Sequence, residues 1–231
     1  MNKAMKKLAV VLAVLTAAAV TTARAQMELS SSYLNAANPL GISHSMGGLE
    51  FGDRITMSGP TGWWPLTDFY FEYFSQLTPA VGKEAVFRIY ANNGPVTDKS
   101  FGKPTPGSLL FDSSIIGPIP LEAGYKTVEI HGGGQSVLVP QSYTWTVEFK
   151  GLGQSESAGL LVNGGPEVGE SAGDFWARDA QGDWGVYLID NGNIAANFTA
   201  RAVAIPEPGV LHLILLAGAG WLGMRVIRRR S

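Results

Sequence analysis

Two glycine-rich fragments hold the residue types that acyl-transfer chemistry uses. Gly169-Glu170-Ser171-Ala172-Gly173 fits G-x-S-x-G, the turn that exposes a nucleophilic serine. His131-Gly132-Gly133-Gly134 fits the backbone cradle that stabilises an oxyanion. Such a serine needs a base within hydrogen-bond reach. In the hydrolase arrangement that joins these two motifs the histidine follows the serine, and here only His212 does, inside an apolar stretch. A nucleophile elbow also joins a strand to a helix, whereas Gly173 runs into Asp174-Phe175-Trp176 with no helical pattern behind it. The parallel sheet of that fold needs repeated crossover helices, and the sequence offers none. The fragments therefore read as two loops in a chain of 29 glycines, and no residue is assigned as catalytic.

Acidic residues offer two further chemistries. Between Gln26 and Pro206 there are 18 Asp and Glu, and hydrolysis of a glycan requires only two carboxylates facing each other across a cleft. Asp174, Asp179, Asp183 and Asp190 gather around Asp179-Ala180-Gln181-Gly182-Asp183, an oxygen-rich loop in which Asp179 and Asp183 are weak calcium candidates. The spacing is not that of an EF-hand, and turn acids that cap the backbone explain it as well, so no metal or other cofactor is expected. His44 and His131 are the only histidines between Gln26 and Pro206, too few for a histidine zinc site. Cysteine is absent, which removes thiol catalysis and iron–sulfur clusters.

Tryptophan supplies the remaining binding signal. Gly59-Pro60-Thr61-Gly62-Trp63-Trp64-Pro65 places adjacent indoles in a Gly/Pro loop, and Trp176 and Trp184 flank the acidic loop. Flat rings with polar neighbours bind sugar rings, so Trp63, Trp64, Trp176 and Trp184 are candidates for glycan contact. Burial in a core is the competing reading for each pair. Asn197-Phe198-Thr199 fits a glycosylation sequon and reads as an ordinary strand end.

The elements that must position these side chains are strands. Tyr143, Trp145, Val147 and Phe149 alternate with Thr144, Thr146 and Glu148, the pattern of a half-buried antiparallel strand. Glu84 to Ala91 alternates in the same way, and Phe69 to Phe74 is aromatic on both faces, as in a central, covered strand. Further strands are expected over Leu49–Met57, Ser108–Asp112, Tyr125–Ile130, Ala158–Val162, Asp174–Ala177, Trp184–Ile189 and Ala195–Val203. Between them lie Gly, Pro and Asn clusters such as Asn92-Asn93-Gly94-Pro95 and Asn163-Gly164-Gly165-Pro166, which suit turns. About ten strands at short spacing predict an all-β, antiparallel β-sandwich, jelly-roll-like, in one domain. No repeat of fixed period points to a propeller or β-helix.

Both ends of the chain differ from this body. Lys3, Lys6 and Lys7 precede the apolar run Leu8 to Val20, and Ala23-Arg24-Ala25 supplies an A-x-A site that would leave Gln26 as the mature N-terminus. The other end reads Ile205-Pro206-Glu207-Pro208-Gly209, then apolar Val210 to Ile227, then Arg228-Arg229-Arg230-Ser231. A helix over 210–227 would span roughly 27 Å, close to a hydrocarbon core of about 30 Å. Arg225, Arg228, Arg229 and Arg230 read as a cytoplasmic stop. Pro206 and Pro208 keep the segment ahead of the span extended and open to a protease.

This tail resembles the PEP-CTERM sorting signal of exported proteins in Gram-negative, exopolysaccharide-producing bacteria, with Pro206, Glu207 and Pro208 as its motif. The resemblance covers only the tail. It implies that signal peptidase and an exosortase-type protease act on the chain, and that the inner membrane holds it transiently. The final location it implies is the cell surface or the extracellular polysaccharide matrix. The region from Glu84 to Ile189 is similar in texture to β-sandwich bodies found ahead of such tails. Three parts follow: a signal peptide over 1–25, a body over 26–204 and a sorting tail over 205–231.

The whole chain carries a formal charge of −2, but eight of its 17 basic residues lie in the two ends. Between Gln26 and Pro206 there are 9 Lys and Arg against 18 Asp and Glu, a net −9. Such a body lacks the basic surface that neutralises phosphates, which argues against nucleic acid and anionic headgroups. The sequence therefore predicts a non-enzymatic exported protein with a structural or adhesive role. The alternatives are a carbohydrate-binding module for matrix polysaccharide and, ranked below it, a glycan-active hydrolase.

Overall fold

The computed structural model describes residues 31–78, 82–131 and 137–205. The expected signal peptide and its cleavage site at Ala23, Ala25 and Gln26, the expected sorting tail from Pro206 onward, and Gly132 to Gly134 lie outside the described residues. Among the described residues, no helix is long and apolar enough to cross a membrane.

Chain order gives β1 (Ser31–Asn35), β2 (Pro39–His44), β3 (Phe51–Thr56), β4 (Trp63–Gln76) and β5 (Glu84–Ala91). Then come β6 (Leu109–Asp112), β7 (Ile119–Pro120), β8 (Gly124–His131), β9 (Val137–Pro140) and β10 (Ser142–Lys150). The last six are β11 (Ser157–Asn163), β12 (Glu170–Ser171), β13 (Phe175–Arg178), β14 (Trp184–Tyr187), β15 (Asn197–Phe198) and β16 (Ala200–Ala204). All pairings are antiparallel, in two eight-stranded sheets.

The first sheet is organised by β4. Its 14 residues pair with β9 and then β8 along one side, and with β16 and then β11 along the other. A register shift between Val203 and Ala204 marks the bulge where Leu66 replaces Thr67 as partner, so the inward-facing positions change from Leu66 to Phe69. The second sheet runs β14-β13-β3-β10-β5-β6, with β12 beside β3 and β7 beside β5. Strand β10 is central because its sequence alternates so well: Tyr143, Trp145, Val147 and Phe149 all point into one core.

The inner faces of the two sheets meet in that core, which makes the arrangement sandwich-like. Trp145 of one sheet lies 5.3 Å from Phe69 and 6.0 Å from Phe71 of the other, ring centroid to centroid. Phe71 stacks on Phe87 at 5.7 Å across the same gap.

Several expectations change in detail. The Trp63-Trp64-Pro65 segment forms the first part of β4, paired with Val139 and Leu138, and is not a loop. Both faces of Phe69–Phe74 are aromatic, but only Phe69, Phe71 and Tyr73 are buried; Tyr70 and Phe74 are half-covered, Phe74 by Tyr125 at 4.7 Å. The expected strand Ala195–Val203 breaks at Thr199, whose N–H donates to the Leu161 carbonyl, so β15 and β16 have different partners. Strands β1, β2, β7, β9 and β12 were not legible because each is short or, like Pro39-Leu40-Gly41, carries turn residues.

Candidate functional site

Ser171 sits on β12, and its hydroxyl donates to Asp53 Oδ2 at 2.9 Å. Asp53 is fully buried on the core side of β3. The two glycines of the fragment have local reasons to be glycine. Gly169 has φ +82°, and a Cβ there would come 2.5 Å from the Thr56 carbonyl oxygen; Gly173 has φ +73°. His131 ends β8 on the other sheet, exposed, with Nδ1 2.9 Å from Asp68 Oδ1 and Nε2 3.4 Å from Glu129 Oε2. The hydrogen bond with Asp68 holds the His131 imidazole above its ordinary range. The serine and the histidine thus have separate partners on separate sheets.

The acidic loop is neutralised by lysine. Asp179 Oδ1 accepts the N–H groups of Gln181 and Asp183, and its Oδ2 lies 2.6 Å from the Lys99 ammonium. Asp183 also reaches Lys99, at 3.3 Å, and Asp174 pairs with Lys103. Among the described residues, no three His, Asp or Glu side chains gather as metal ligands. The oxygens of Asp179 and Asp183 serve a turn and an ion pair with Lys99.

The four tryptophans part company. Trp176 is 0% exposed, opposite Gly52 on β3 and Val186 on β14, so it offers no face to a sugar. Trp184 is half-buried, with Tyr90 edge-on at 5.4 Å and the Arg178 guanidinium 5.2 Å from its ring centroid. Trp64 is half-buried and its Nε1 donates to the Pro60 carbonyl at 3.1 Å. Trp63 alone stands out, at 56% exposure.

Trp63 lies on the lip of a cleft of about 910 Å³ at the open side of the two sheets. One wall comes from β4, β8 and β9, including Leu66, Ile130 and Leu138. The other comes from β5, β6 and the turn after β6, including Phe111, Ile115 and Ile116. Ile115 is 83% exposed and Ile116 70%, and Leu109 and Leu138 are also open to solvent. Volume and lining fall in the range of small-molecule sites. Sequence reasoning missed this cleft because its walls come from five separate segments. The signal present was Ile115-Ile116, an apolar pair between strands with no alternation to bury it.

No family model, curated protein or solved structure matches this chain.

Proposed function

We propose that this protein is an exported, jelly-roll-like β-sandwich that a C-terminal PEP-CTERM signal sorts to the cell envelope or the extracellular polysaccharide matrix. Its role there is structural or adhesive. The observation that carries this reading is the order of three segments: Pro206-Glu207-Pro208, an apolar stretch of membrane length, then the arginine cluster Arg228-Arg229-Arg230. The A-x-A site before Gln26 supports it from the other end. A non-catalytic role is supported by Ser171, whose hydroxyl is engaged by Asp53, and by the lysine partners of the acidic loop.

Intact-mass analysis of the exported pool tests the sorting reading. The mature protein is expected to begin at Gln26 and to lack 210–231, and Glu207→Ala is expected to retain the tail and change the final location. Full-length tail in the exported pool would sink the processing step, and an unmoved Glu207→Ala protein would sink the family assignment.

A second reading, a carbohydrate-binding module, draws support from the exposed ring of Trp63. Titrating matrix polysaccharide against wild type and Trp63→Ala separates the two. Binding that Trp63→Ala abolishes favours the module, and no binding by wild type removes it.

A further inference from the structure

We propose that Asn191 is a site of self-modification, where the backbone nitrogen of Gly192 attacks the side-chain amide and converts it, through a cyclic imide, to aspartate and isoaspartate. The proposal concerns the body alone and does not depend on how the ends of the chain are processed.

The sequence holds three Asn-Gly pairs: Asn93-Gly94, Asn163-Gly164 and Asn191-Gly192. Glycine after asparagine leaves the attacking nitrogen unshielded, since it has no Cβ. The fold closes two of the three. Asn93 Nδ2 donates to Ser108 Oγ at 3.0 Å, and its Oδ1 accepts the Ser108 N–H at 2.8 Å. The Gly94 N–H is engaged by the Thr105 carbonyl at 2.9 Å, and a Cβ on Gly94 would lie 2.3 Å from Thr105 Oγ1, so this peptide has no space to turn. Asn163 is buried, and its Nδ2 donates to the Asn35 carbonyl at 3.1 Å and to Thr199 Oγ1 at 3.0 Å. The Gly164 N–H donates to the Asn38 carbonyl at 3.0 Å.

Asn191 differs on each count. It is exposed, in the turn after β14, and among the described residues no hydrogen bond holds its side chain. A Cβ on Gly192 would meet only Leu188 Cδ1, at 3.5 Å, so the peptide has room to rotate. One tie remains, from the Gly192 N–H to the Ile189 carbonyl at 2.9 Å. That tie sits in a turn under strain: Asp190, Asn191 and Gly192 are left-handed in succession, with φ +49°, +54° and +91°. L-residues sit poorly in that region, so opening the turn relieves strain while it frees the nitrogen.

In the reaction, Gly192 N gives its proton to a base in the solvent and bonds to Asn191 Cγ. The bond from Cγ to Nδ2 breaks, and Nδ2 leaves with one added proton as ammonia. Water then opens the ring at either carbonyl. The sum is amide plus water to acid plus ammonia, with no other reactant. The product carries a new carboxylate beside Asp190, in a body already at net −9 between Gln26 and Pro206.

The test ages the full-length chain in mild detergent and mildly alkaline buffer, folded or in concentrated guanidinium chloride. Digestion in mild acid and peptide mass spectrometry with electron-based fragmentation then separate aspartate from isoaspartate. In guanidinium all three pairs are expected to convert at similar rates. In the folded chain, Asn93 and Asn163 are expected to convert at least about tenfold more slowly than Asn191, the ratio given by a difference of about 1.4 kcal/mol in opening free energy. Gly192→Ala, measured in guanidinium so that folding has no part, is expected to slow conversion at Asn191 several-fold, because its Cβ crowds the nitrogen. Folded Asn191 converting no faster than Asn93 or Asn163 would overturn the proposal. So would a product at Asn191 without isoaspartate, which means direct hydrolysis, or an unchanged rate in Gly192→Ala.

Discussion

Asp53 is the residue whose environment conflicts most with its chemistry. It lies in the core beside Trp145; among the described residues its Oδ1 has no hydrogen-bond partner and its Oδ2 accepts the Ser171 hydroxyl. Burial pushes its carboxyl well above the ordinary value of 3.8, with Asp174 adding to the effect. Below that value the group is protonated in both folded and unfolded chains and contributes nothing to the pH dependence. As pH rises, the unfolded chain ionises while the folded one keeps its proton, so stability falls with pH until the folded group ionises. Asp53→Asn is isosteric with the protonated acid and removes this term. Its melting temperature is expected to exceed that of wild type near pH 7, with the gap closing toward about pH 4. A gap that stays constant with pH would show that Asp53 does not hold its proton. Ser171→Ala removes the donor on Oδ2 and is expected to cost about 1–3 kcal/mol in chemical denaturation. Sequence reasoning gave this serine no partner, because Asp53 is 118 positions away. Trp145, 0% exposed between the two sheets, should cost about 3–5 kcal/mol when truncated to alanine. A neutral Trp145→Ala protein would contradict the packing.

At the scale of elements, the connections are held by buried or half-buried ion pairs. Glu156, between β10 and β11, accepts the N–H of Gly153 at 2.8 Å and of Thr78 at 2.7 Å, and also the Thr78 hydroxyl and the Lys83 ammonium. It thereby ties the end of β4 and the start of β5 to the β10–β11 turn. The Gly153 N–H, then Lys83 and Thr78, bring its carboxyl down from 4.5 to about 2. A lowered folded value means that the contribution is present above about 4.5 and is lost as pH falls through about 2. Amide exchange at Gly153 and Thr78 should therefore speed up in wild type only on strong acidification. In Glu156→Gln it should already be fast at neutral pH. Equal protection in the two proteins would remove Glu156 from this role. On the outer face of the second sheet, Glu50 does similar work. It accepts Tyr90 Oη at 2.9 Å and Thr146 Oγ1 at 2.6 Å and faces Arg88 at 3.0 Å, which joins β3, β10 and β5 beyond their ladders. None of these ties has a sequence spacing that reveals it.

For the molecule as a whole, the pairing of β1 with β16 sets Ser31 opposite Ala204. The body of 31–204 therefore opens and closes on neighbouring strands, and it forms a compact unit by itself. Removing sequence outside 26–204 takes no partner from any ladder among the described residues. The chain trimmed to 26–204 is expected to keep a β-dominated circular dichroism spectrum and the melting temperature of the full-length protein. Loss of cooperative melting on trimming would show that the ends contribute to the fold.

The sequence by itself determined the class of the fold. Strong period-2 alternation in Glu84–Ala91 and Tyr143–Phe149 fixed the strands and which residues face the core, because a one-residue slip would turn Trp145 and Phe87 out of it. That Val86, Tyr90, Thr144 and Thr146 on the other face are also buried was not legible. Local chemistry also marked most turns. Only the tertiary structure decided what the side chains do. Trp63 and Trp176 look alike in sequence, yet one is the lip of a cleft and the other is sealed opposite Gly52. Asp179 and Asp183 are weak calcium candidates in sequence, and only the fold shows that both face Lys99, some 80 positions earlier. The cleft itself arises where β6 and β9, strands far apart in the chain, leave the edges of two sheets open to each other. Alternation is a local property and survives in sequence; burial, pairing of charge and concavity depend on which distant segments meet, and one sequence alone does not encode them legibly.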